Sequence, residues 1–256
     1  MSVKAKKHLG QHFLTDEGIA KQIADSLVGS NYKKVLEIGP GMGVLTKYLL
    51  EKPYETYVVE IDTESVAYLQ AHYLKLANNI FSLDFLRHDW QTAFKDEQFA
   101  IIGNFPYNIS TQIVFKVLDW KTQVPMMVGM FQKEVGERIA AKPHSKSYGI
   151  LSVLAQAFYD VTYLFDVPPS AFNPPPKVDS GVLMFKRKEN FPAMASEKSF
   201  YHIVKMAFGQ RRKMLRNPLK PYFTTAQLED PIFTKRAENL TYEDYAALTF
   251  KMHNEK

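Results

Sequence analysis

Four consecutive residues, Asn104-Phe105-Pro106-Tyr107, combine groups that could activate an amine. The lone pair of an adenine amine is delocalised into the ring, which makes the amine a poor nucleophile. Two acceptors that hold its hydrogens, the Asn104 side-chain oxygen and the Phe105 carbonyl oxygen, would favour a more pyramidal nitrogen that can attack a methyl group. Pro106 stiffens the turn, and Tyr107 offers a ring on which a base can stack. Taken alone, the same residues are also typical of an ordinary turn.

A glycine-rich loop, Glu37-Ile38-Gly39-Pro40-Gly41-Met42-Gly43, lies upstream. It follows an apolar run and precedes an amphipathic segment, which is where open parallel sheets bind ligands. The spacing G-x-G-x-G differs from the G-x-G-x-x-G of dinucleotide-binding proteins, and no Lys-Ser/Thr pair follows as in a phosphate-binding loop. The loop therefore predicts that a ligand binds here by groups other than phosphates. The alternative is that the loop is a tight turn that binds no ligand.

Two acids lie at the ends of the next two apolar runs. Glu60 lies 17 residues after Gly43, where a carboxylate can accept hydrogen bonds from both hydroxyls of a ribose. Asp84 follows a third run and could accept a hydrogen bond from an adenine amine. Because an acidic cleft suits a cationic sulfonium better than a pyrophosphate, this set favours S-adenosylmethionine over NAD. Two solvated acids at strand ends remain the alternative.

Short apolar runs alternate with amphipathic stretches over the first two-thirds of the chain, which predicts an α/β fold with a mostly parallel sheet covered on both faces. The predicted strands are 34–38, 57–61, 80–83, 99–102, 125–131, 161–167 and 181–185. Helices are predicted behind a Thr15-Asp16 cap, behind Thr63, and over 44–50, 111–120, 133–141 and 150–158. Both motifs above then lie at the carboxyl ends of strands.

The pattern lapses at 188–198, and the residues that follow are predicted to be helical without strands. This indicates a catalytic domain over 1–188 and a small helical domain over 189–256. We find no repeat and no run of about 20 apolar residues that could span a membrane.

The formal net charge is +5, and basic residues cluster at 4–12 and 205–220 without an acid. These clusters predict two surfaces for a polyanion, although charge runs are more often simply solvated. The chain has no cysteine, which excludes disulfides and thiolate zinc sites and favours the cytoplasm. His8 and His12 are four residues apart but lack the intervening Glu of a zinc protease, and the other five histidines are scattered, so no metal site is expected.

At this point the sequence resembles the ribosomal RNA adenine dimethyltransferases that modify two adjacent adenines near the end of small-subunit ribosomal RNA. The resemblance covers nearly the whole chain. It is carried by K-K-H-L-G-Q-H-F-L at 6–14, E-I-G-P-G-M-G, N-F-P-Y-N-I-S, Q-K-E-V at 132–135, V-P-P-S-A-F-N-P-P-P-K-V-D-S at 167–180, Q-R-R-K at 210–213 and R-A-E-N at 236–239. It implies a Rossmann-like, seven-stranded methyltransferase sheet with a small C-terminal all-α domain.

The resemblance also implies site residues. The expected cofactor-binding residues, for S-adenosylmethionine and its product S-adenosylhomocysteine, are His12, Leu14, Glu37, Gly39, Gly41, Glu60, Ile61, Asp84, Phe85 and Asn104. The expected catalytic residues are Asn104, Phe105, Pro106, Tyr107 and Phe172, with Phe172 facing Tyr107 across a flipped base. The expected RNA-binding residues are Lys6, Lys7, Arg211, Arg212, Lys213 and Arg216. Neutralising Arg211 and Arg212 together should weaken RNA binding and flatten its salt dependence.

Two positions depart from the family pattern. His12 stands where some members have Asn, and Phe105 stands where many have Leu, which predicts a narrower acceptor site. The expected partner is small-subunit ribosomal RNA in a pre-assembled small subunit, bound by a monomer. One rival is the related large-subunit RNA adenine methyltransferase family that confers macrolide resistance, against which the proline-rich 167–180 segment and R-A-E-N argue. The other is a non-catalytic assembly factor on the same scaffold, against which the intact site residues argue.

Overall fold

A computed structural model describes residues 3–29, 31–76 and 78–253. Its strands are β1 (Phe13–Leu14), β2 (Lys34–Ile38), β3 (Glu55–Glu60), β4 (Ile80–Ser82), β5 (Phe99–Asn104), β6 (Met126–Gln132), β7 (Tyr159–Val167), β8 (Phe172–Asn173) and β9 (Ser180–Arg187). Its α-helices are α1 (Glu17–Asp25), α2 (Thr46–Leu49), α3 (Thr63–His72), α4 (Trp90–Ala93), α5 (Ser110–Asp119), α6 (Lys133–Ala140), α7 (Ile150–Phe158), α8 (Glu197–Gly209), α9 (Arg216–Leu219) and α10 (Tyr242–Thr249).

Seven of these strands form one sheet in the order β4-β3-β2-β5-β6-β9-β7. The pairs from β4 to β6 are parallel, whereas β9 runs antiparallel to β6. The mostly parallel seven-stranded sheet expected from the sequence is therefore confirmed. The strands β1 and β8 pair separately as a two-stranded sheet and were not predicted.

The inner strands form because their side chains are apolar on both faces, as expected for a parallel sheet covered by helices. All residues of β5 except Asn104 are buried, and so are all residues of β6 except Gln132. These two strands thus carry polar side chains only where they leave the core. Asn104 stands at the end of β5, where that strand reaches the surface of the core.

Helix starts follow the expected capping chemistry, with one correction. The Asp16 carboxylate accepts a hydrogen bond from the Ile19 amide, as the predicted cap requires. The cap of α3 is Asp62 rather than Thr63, because the Asp62 carboxylate accepts from the Glu64 amide. The acid preceding the threonine is the better-placed acceptor.

The chain forms two compact units. The first comprises residues up to Gly136 and Thr162–Arg187, and the second comprises Glu137–Val161 and residues from Lys188 onward. The sequence placed 137–161 in the first domain, but α7 packs against α8 and α10 of the second unit. The chain leaves the first unit for the last time after Arg187, one residue before the domain boundary predicted after residue 188. No helix in the described part of the chain is long and apolar enough to cross a membrane.

Candidate active site

The glycine loop and the Asn104–Tyr107 segment begin side by side. The strand β2 ends at Ile38 and its hydrogen-bonded neighbour β5 ends at Asn104, with Glu37 opposite Ile102 in the ladder. The chain builds the sheet outward from β2 to β4 and then returns to β5, so this is the switch point at which open α/β sheets bind ligands. The two motifs therefore share one cleft.

Two glycines of the loop are required for different reasons. Gly41 has φ +55°, and a Cβ there would lie 2.8 Å from the ring of Phe13. Gly39 has φ +67°, but its Cβ would meet nothing closer than Pro106 Cδ at 3.8 Å. Gly41 is thus needed for packing, whereas Gly39 keeps open the space between the two motifs.

Glu60 joins the end of β3 to the glycine loop. Its carboxylate accepts hydrogen bonds from the Gly41 amide at 3.1 Å and from the Asp62 amide at 2.9 Å. Burial raises the pKa of Glu60, and these backbone donors counteract that effect. Beside it the apolar side chain of Ile61 is 51% exposed at the lip of the cleft, where an aromatic ring could rest.

Glu37 is the most deeply buried acid of the cleft, at 1% exposure. The Thr46 hydroxyl donates a 2.6 Å hydrogen bond to its Oε2. Burial raises the pKa of Glu37 to about 8, and the nearby charge of Glu60 adds to the effect. The folded protein therefore holds a proton on Glu37 at neutral pH.

This proton makes stability depend on pH. The unfolded chain releases it near pH 4.5 and the folded protein near pH 8, so the free energy of unfolding falls as the pH rises between these values. Glu37→Gln should gain stability relative to the wild type across this window, by at most about 1.4 kcal/mol per pH unit. Urea unfolding from pH 5 to 8 measures this gain. Glu189→Gln, at an exposed position, is the control, and a gain independent of pH would contradict the account.

Asp84 and Phe85 form the far end of the cleft. Asp84 Oδ1 accepts from the Leu86 amide at 2.9 Å, and Oδ2 lies 3.4 Å from Arg87 Nε. The side chain of Asp84 is 35% exposed, so its carboxylate remains accessible to a ligand. Phe85 is 4% exposed and closes the cleft floor with Leu83.

Asn104 has a fixed orientation. Its Nδ2 donates a 2.9 Å hydrogen bond to the carbonyl oxygen of His12. A carbonyl can only accept, so the amide nitrogen must face His12 and the Oδ1 must point away from it. No residue in the described parts of the chain donates to this oxygen. Asn104 therefore presents a free acceptor in the cleft, and its contact with an amine stays a prediction.

Tyr107 is held between two neighbours. Its hydroxyl lies 2.6 Å from the Oγ of Ser180, and its ring stacks on His12 with centroids 5.7 Å apart. The His12 Nδ1 donates to the Pro174 carbonyl at 2.8 Å. Burial raises the pKa of Tyr107, so its hydroxyl stays neutral at pH 7.

The expectation that Phe105 narrows the acceptor site is wrong. Its ring is 1% exposed and packs edge-on against Phe131, at 5.4 Å between centroids. A Cβ on Gly129 would lie 2.2 Å from the ring, and one on Gly103 would lie 3.1 Å from it. These glycines on β5 and β6 leave the space that the ring fills, so the extra bulk goes into the protein interior.

This packing predicts the behaviour of Gly129→Ala. The added methyl group would displace the Phe105 ring, at an overpacking cost of about 1–3 kcal/mol, and shift the adjoining Asn104. Methyl transfer should fall, and Phe105→Leu in the same chain should restore part of the stability and activity because it removes the atoms closest to the new methyl. Melting temperature and turnover test both. A double variant no better than Gly129→Ala would contradict this explanation.

Phe172 and Leu14 pair across the small sheet of β1 and β8. Both are 4% exposed and belong to the hydrophobic core. The ring that contacts Tyr107 in this structure is that of His12, not that of Phe172. The expected role of Phe172 as a base clamp would thus require it to leave the core and stays a prediction, whereas Leu14 lines the cleft beside Glu37.

Lys6 is engaged within the protein. Its ammonium forms ion pairs with Asp62 and with Glu64, the latter at 3.1 Å. Gln11 also donates to Asp62, at 3.4 Å, so the N-terminal segment is attached beside Glu60. Two acids already compensate the charge of Lys6, which leaves the exposed Lys7 as the predicted phosphate contact of this segment.

The second basic cluster lies in the second unit. Arg211 donates to the Ser145 carbonyl at 3.2 Å and lies 3.5 Å from Glu238, so it serves the packing of its own unit. Arg212, Lys213 and Arg216 are exposed. Of the four cations predicted to bind RNA in this cluster, Arg211 is thus engaged within its own unit and the other three are exposed.

A profile of the family described as ribosomal RNA adenine dimethylase matches residues 2–255. The chain belongs to the ribosomal RNA adenine dimethylase family. Members of this family use S-adenosylmethionine as the methyl donor, so the predicted enzyme class and cofactor are confirmed.

Individual proteins support the assignment to the ribosomal RNA adenine dimethylases. Ribosomal RNA small subunit methyltransferase A of Flavobacterium johnsoniae is 60% identical over 251 residues, covering 98% of this chain and 96% of that protein. A dimethyladenosine transferase from Plasmodium falciparum matches with a TM-score of 0.75 and 26% identity over 91% of this chain and 94% of that one. The 23S rRNA methyltransferase ErmE matches with a TM-score of 0.74 and 22% identity over 94% and 99% of the two chains, which shows a common fold alone.

Sequence reasoning about this dimethylase missed two contacts of the site. Ser180 bonds to Tyr107 from 73 residues away, and Asp62 anchors Lys6 from 56 residues away. Ser180 ends the proline-rich segment that carries the family resemblance, which was the only signal pointing to it. Among the described residues, no group of three or more His, Cys, Asp or Glu side chains could hold a metal ion.

Proposed function

We propose that the protein transfers methyl groups from S-adenosylmethionine to the exocyclic nitrogens of two adjacent adenosines, in the loop of a hairpin near the 3′ end of small-subunit ribosomal RNA, giving N6,N6-dimethyladenosine. The observation that carries this proposal is the free Oδ1 of Asn104 beside an open glycine loop, in a chain of this family. Its relative from Flavobacterium johnsoniae is named a small-subunit methyltransferase.

The residues around the glycine loop fit the methyl donor. Three adjoining clefts share Gly39 and run from Glu37 past Glu60 to Asp84. We assign Glu60 to the ribose hydroxyls, Asp84 to the adenine amine, and Glu37 and Gly39 to the methionine end. The exposed Ile61 side chain would cover the adenine, and the carboxylates of Glu60 and Asp84 favour a ligand with a net positive charge.

The acceptor half of the site orients the target amine. S-adenosylmethionine supplies an electrophilic methyl group when bound. Asn104 Oδ1 and the Phe105 carbonyl accept hydrogen bonds from the two amine hydrogens and aim the nitrogen lone pair at the cofactor end of the cleft. Tyr107 supports the base by stacking, while its neutral hydroxyl remains on Ser180. Alignment of the reactants provides much of the rate. No general base is needed during attack, because the amine nitrogen loses its proton to water only after methylation has made it cationic.

For the second transfer the once-methylated amine must fit the same site. We propose that it does, because the Phe105 ring is packed against Gly103 and Gly129 in the interior. The remaining hydrogen of the amine can bond to one of the two acceptors while the first methyl group takes the place of the other hydrogen. The bulk of Phe105 is then no obstacle to dimethylation.

The expected RNA surface predicts a specific salt dependence. Arg212→Gln with Lys213→Gln removes two exposed cations, so RNA binding should weaken about tenfold and the slope of log K against log salt should fall by about 2. Filter binding from 50 to 300 mM salt would measure the slope. The control removes the exposed Lys95 and Lys198 instead, and should leave the slope close to that of the wild type. Equal slopes in the wild type, the Arg212/Lys213 variant and the control would contradict the assignment of Arg212 and Lys213 to an RNA-binding surface.

We further propose that the substrate is the RNA of a pre-assembled small subunit, and that the enzyme acts as a monomer in the cytoplasm. A hairpin packed in a subunit presents its loop in a defined conformation, which lowers the conformational entropy lost when the loop enters the site.

The experiment is incubation with labelled S-adenosylmethionine and with small or large ribosomal subunits from a strain that lacks the modification, followed by mapping of the label. We expect two dimethylated adenosines in small-subunit RNA. Label confined to large-subunit RNA would support the macrolide-resistance type of enzyme instead, and no label with either subunit would support a non-catalytic assembly factor.

A further inference from the structure

The side chain of Ser180 is fully buried, and it contacts the active-site residue Tyr107. Its exposure is 0%, and its Oγ lies 2.6 Å from the hydroxyl of Tyr107. No other hydrogen bond of this Oγ occurs among the described residues. Buried hydroxyls are almost always hydrogen-bonded, and the Tyr107 hydroxyl is the partner of Ser180.

Ser180 is also a rigid anchor. It is the first residue of β9 and lies opposite Gln132 of β6 in an antiparallel ladder of seven residue pairs. At the next residue, Gly181, a Cβ would lie 2.2 Å from the hydroxyl oxygen of Tyr163. The ladder and this close contact hold the backbone of Ser180 in place, so its side chain extends from a fixed point toward Tyr107.

Tyr107, by contrast, lies in a turn just after β5 and depends on side-chain contacts for its orientation. A tyrosine ring has two rotatable bonds, and ordering it when a base arrives would cost conformational entropy. The bond to Ser180 holds the end of the ring, and His12 contacts its face. The ring is thus ordered before any base is present.

We propose that Ser180 is a positioning residue for the reaction: it fixes the Tyr107 ring as a preformed stacking platform for the target adenine. The inference rests on the proposed function, because the adenine is the ligand that the platform serves. Ser180 itself does not touch the substrate. It acts through the Tyr107 hydroxyl alone, which makes the two residues energetically coupled.

The test is a double-mutant cycle with Ser180→Ala and Tyr107→Phe, measured as kcat/KM for methylation of undermethylated small subunits. Each single variant breaks the same bond, so we expect each to lower kcat/KM about tenfold, and we expect the double variant to be no slower than either. Binding of S-adenosylhomocysteine, measured by calorimetry, should stay within twofold of the wild type in all three. Ser180→Thr keeps the hydroxyl and should retain most of the activity.

Ser152→Ala is the matched control, since Ser152 is equally buried and donates to the Arg138 carbonyl in the second unit. It should lower the melting temperature without lowering kcat/KM tenfold. If Ser180→Ala lowered kcat/KM equally in the wild type and in Tyr107→Phe, its role would be merely structural and the proposal would be overturned. If Ser180→Ala did not fold, Tyr107→Phe would still test the proposal because it breaks the same bond, and full activity of Tyr107→Phe would overturn the proposal. A wild-type protein that methylates no RNA would instead refute the proposed function.

Discussion

Asn104→Ala should reduce methyl transfer by a factor of about 10²–10³, the loss typical of removing one preorganised hydrogen-bonding group that acts on the reacting atom. The reason is the orientation of its amide, whose Nδ2 is fixed by the His12 carbonyl and whose Oδ1 is open to the cleft. Because the side chain ends beside the reacting amine rather than on the ribose or adenine, affinity for S-adenosylmethionine should change by less than tenfold. Single-turnover methylation and calorimetric titration measure the two effects separately.

Asn79→Ala provides the matched control for this variant. Asn79 also donates its Nδ2 to a backbone carbonyl, that of Thr56, at 3.0 Å. It lies next to β4 and does not line the clefts around Gly39. The two variants should therefore lose similar stability, and only Asn104→Ala should lose methyl transfer. Equal activity of the two would show that the Asn104 oxygen does not act on the amine.

The second large effect is expected for Gly39→Ala, which should weaken S-adenosylmethionine binding at least tenfold. The new Cβ would meet no protein atom closer than 3.8 Å, so the chain can still fold around it. It would occupy the space between the glycine loop and Pro106 that we assign to the methionine end of the cofactor. Affinity is measured by calorimetry at a temperature well below the melting transition.

Backbone strain must be separated from this steric effect, because Gly39 has φ +67° and alanine there costs about 1–2 kcal/mol. Gly29→Ala is the control: Gly29 also has a positive φ, of +140°, and lies in the loop after α1. Gly29→Ala should lower the melting temperature and leave cofactor affinity unchanged. A Gly39→Ala protein that binds the cofactor as tightly as the wild type would contradict the assignment of this space.

The sheet and the position of the site were predictable because their signals are local. The strands β2 and β5 are short, mostly apolar and mostly buried; the glycine loop follows β2, and Asn104 ends β5. Parallel strands place their carboxyl ends on one edge, so neighbouring strands had to bring these motifs together. The orientation of the Asn104 amide, by contrast, depends on the His12 carbonyl 92 residues away.

The environment of the aromatic rings was not predictable, because it depends on residues distant in the chain. Phe105 was expected to narrow the acceptor site, but Gly129 on the adjacent strand creates the space that receives its ring. A periodic pattern shows that a residue is apolar and does not show which neighbour lacks a side chain. The same holds for the bond between Tyr107 and Ser180, which joins the ends of two strands that are not neighbours in the sheet.

The charge patterns located two basic stretches in the sequence but did not show which of their cations are paired with acids in the folded protein. Lys6 and Arg211 both belong to acid-free stretches of sequence, yet each finds an acid from another element, Asp62 and Glu238 respectively. Ion pairing between distant segments is decided by tertiary structure.

The assignment of α7 to the second unit has a similar origin, since its apolar face could pack on either group of helices.

The central claim is that Asn104 and Phe105 hold the adenine amine next to the methyl donor. The most direct test is a crystal structure of the protein with S-adenosylhomocysteine and an RNA hairpin that ends in the two target adenosines. We predict that one adenine N6 lies about 2.7–3.2 Å from both Asn104 Oδ1 and the Phe105 carbonyl oxygen, with the base stacked on Tyr107. An adenine bound outside the cleft between Gly39 and Pro106, or an Asn104 amide whose nitrogen faces the base, would contradict the claim.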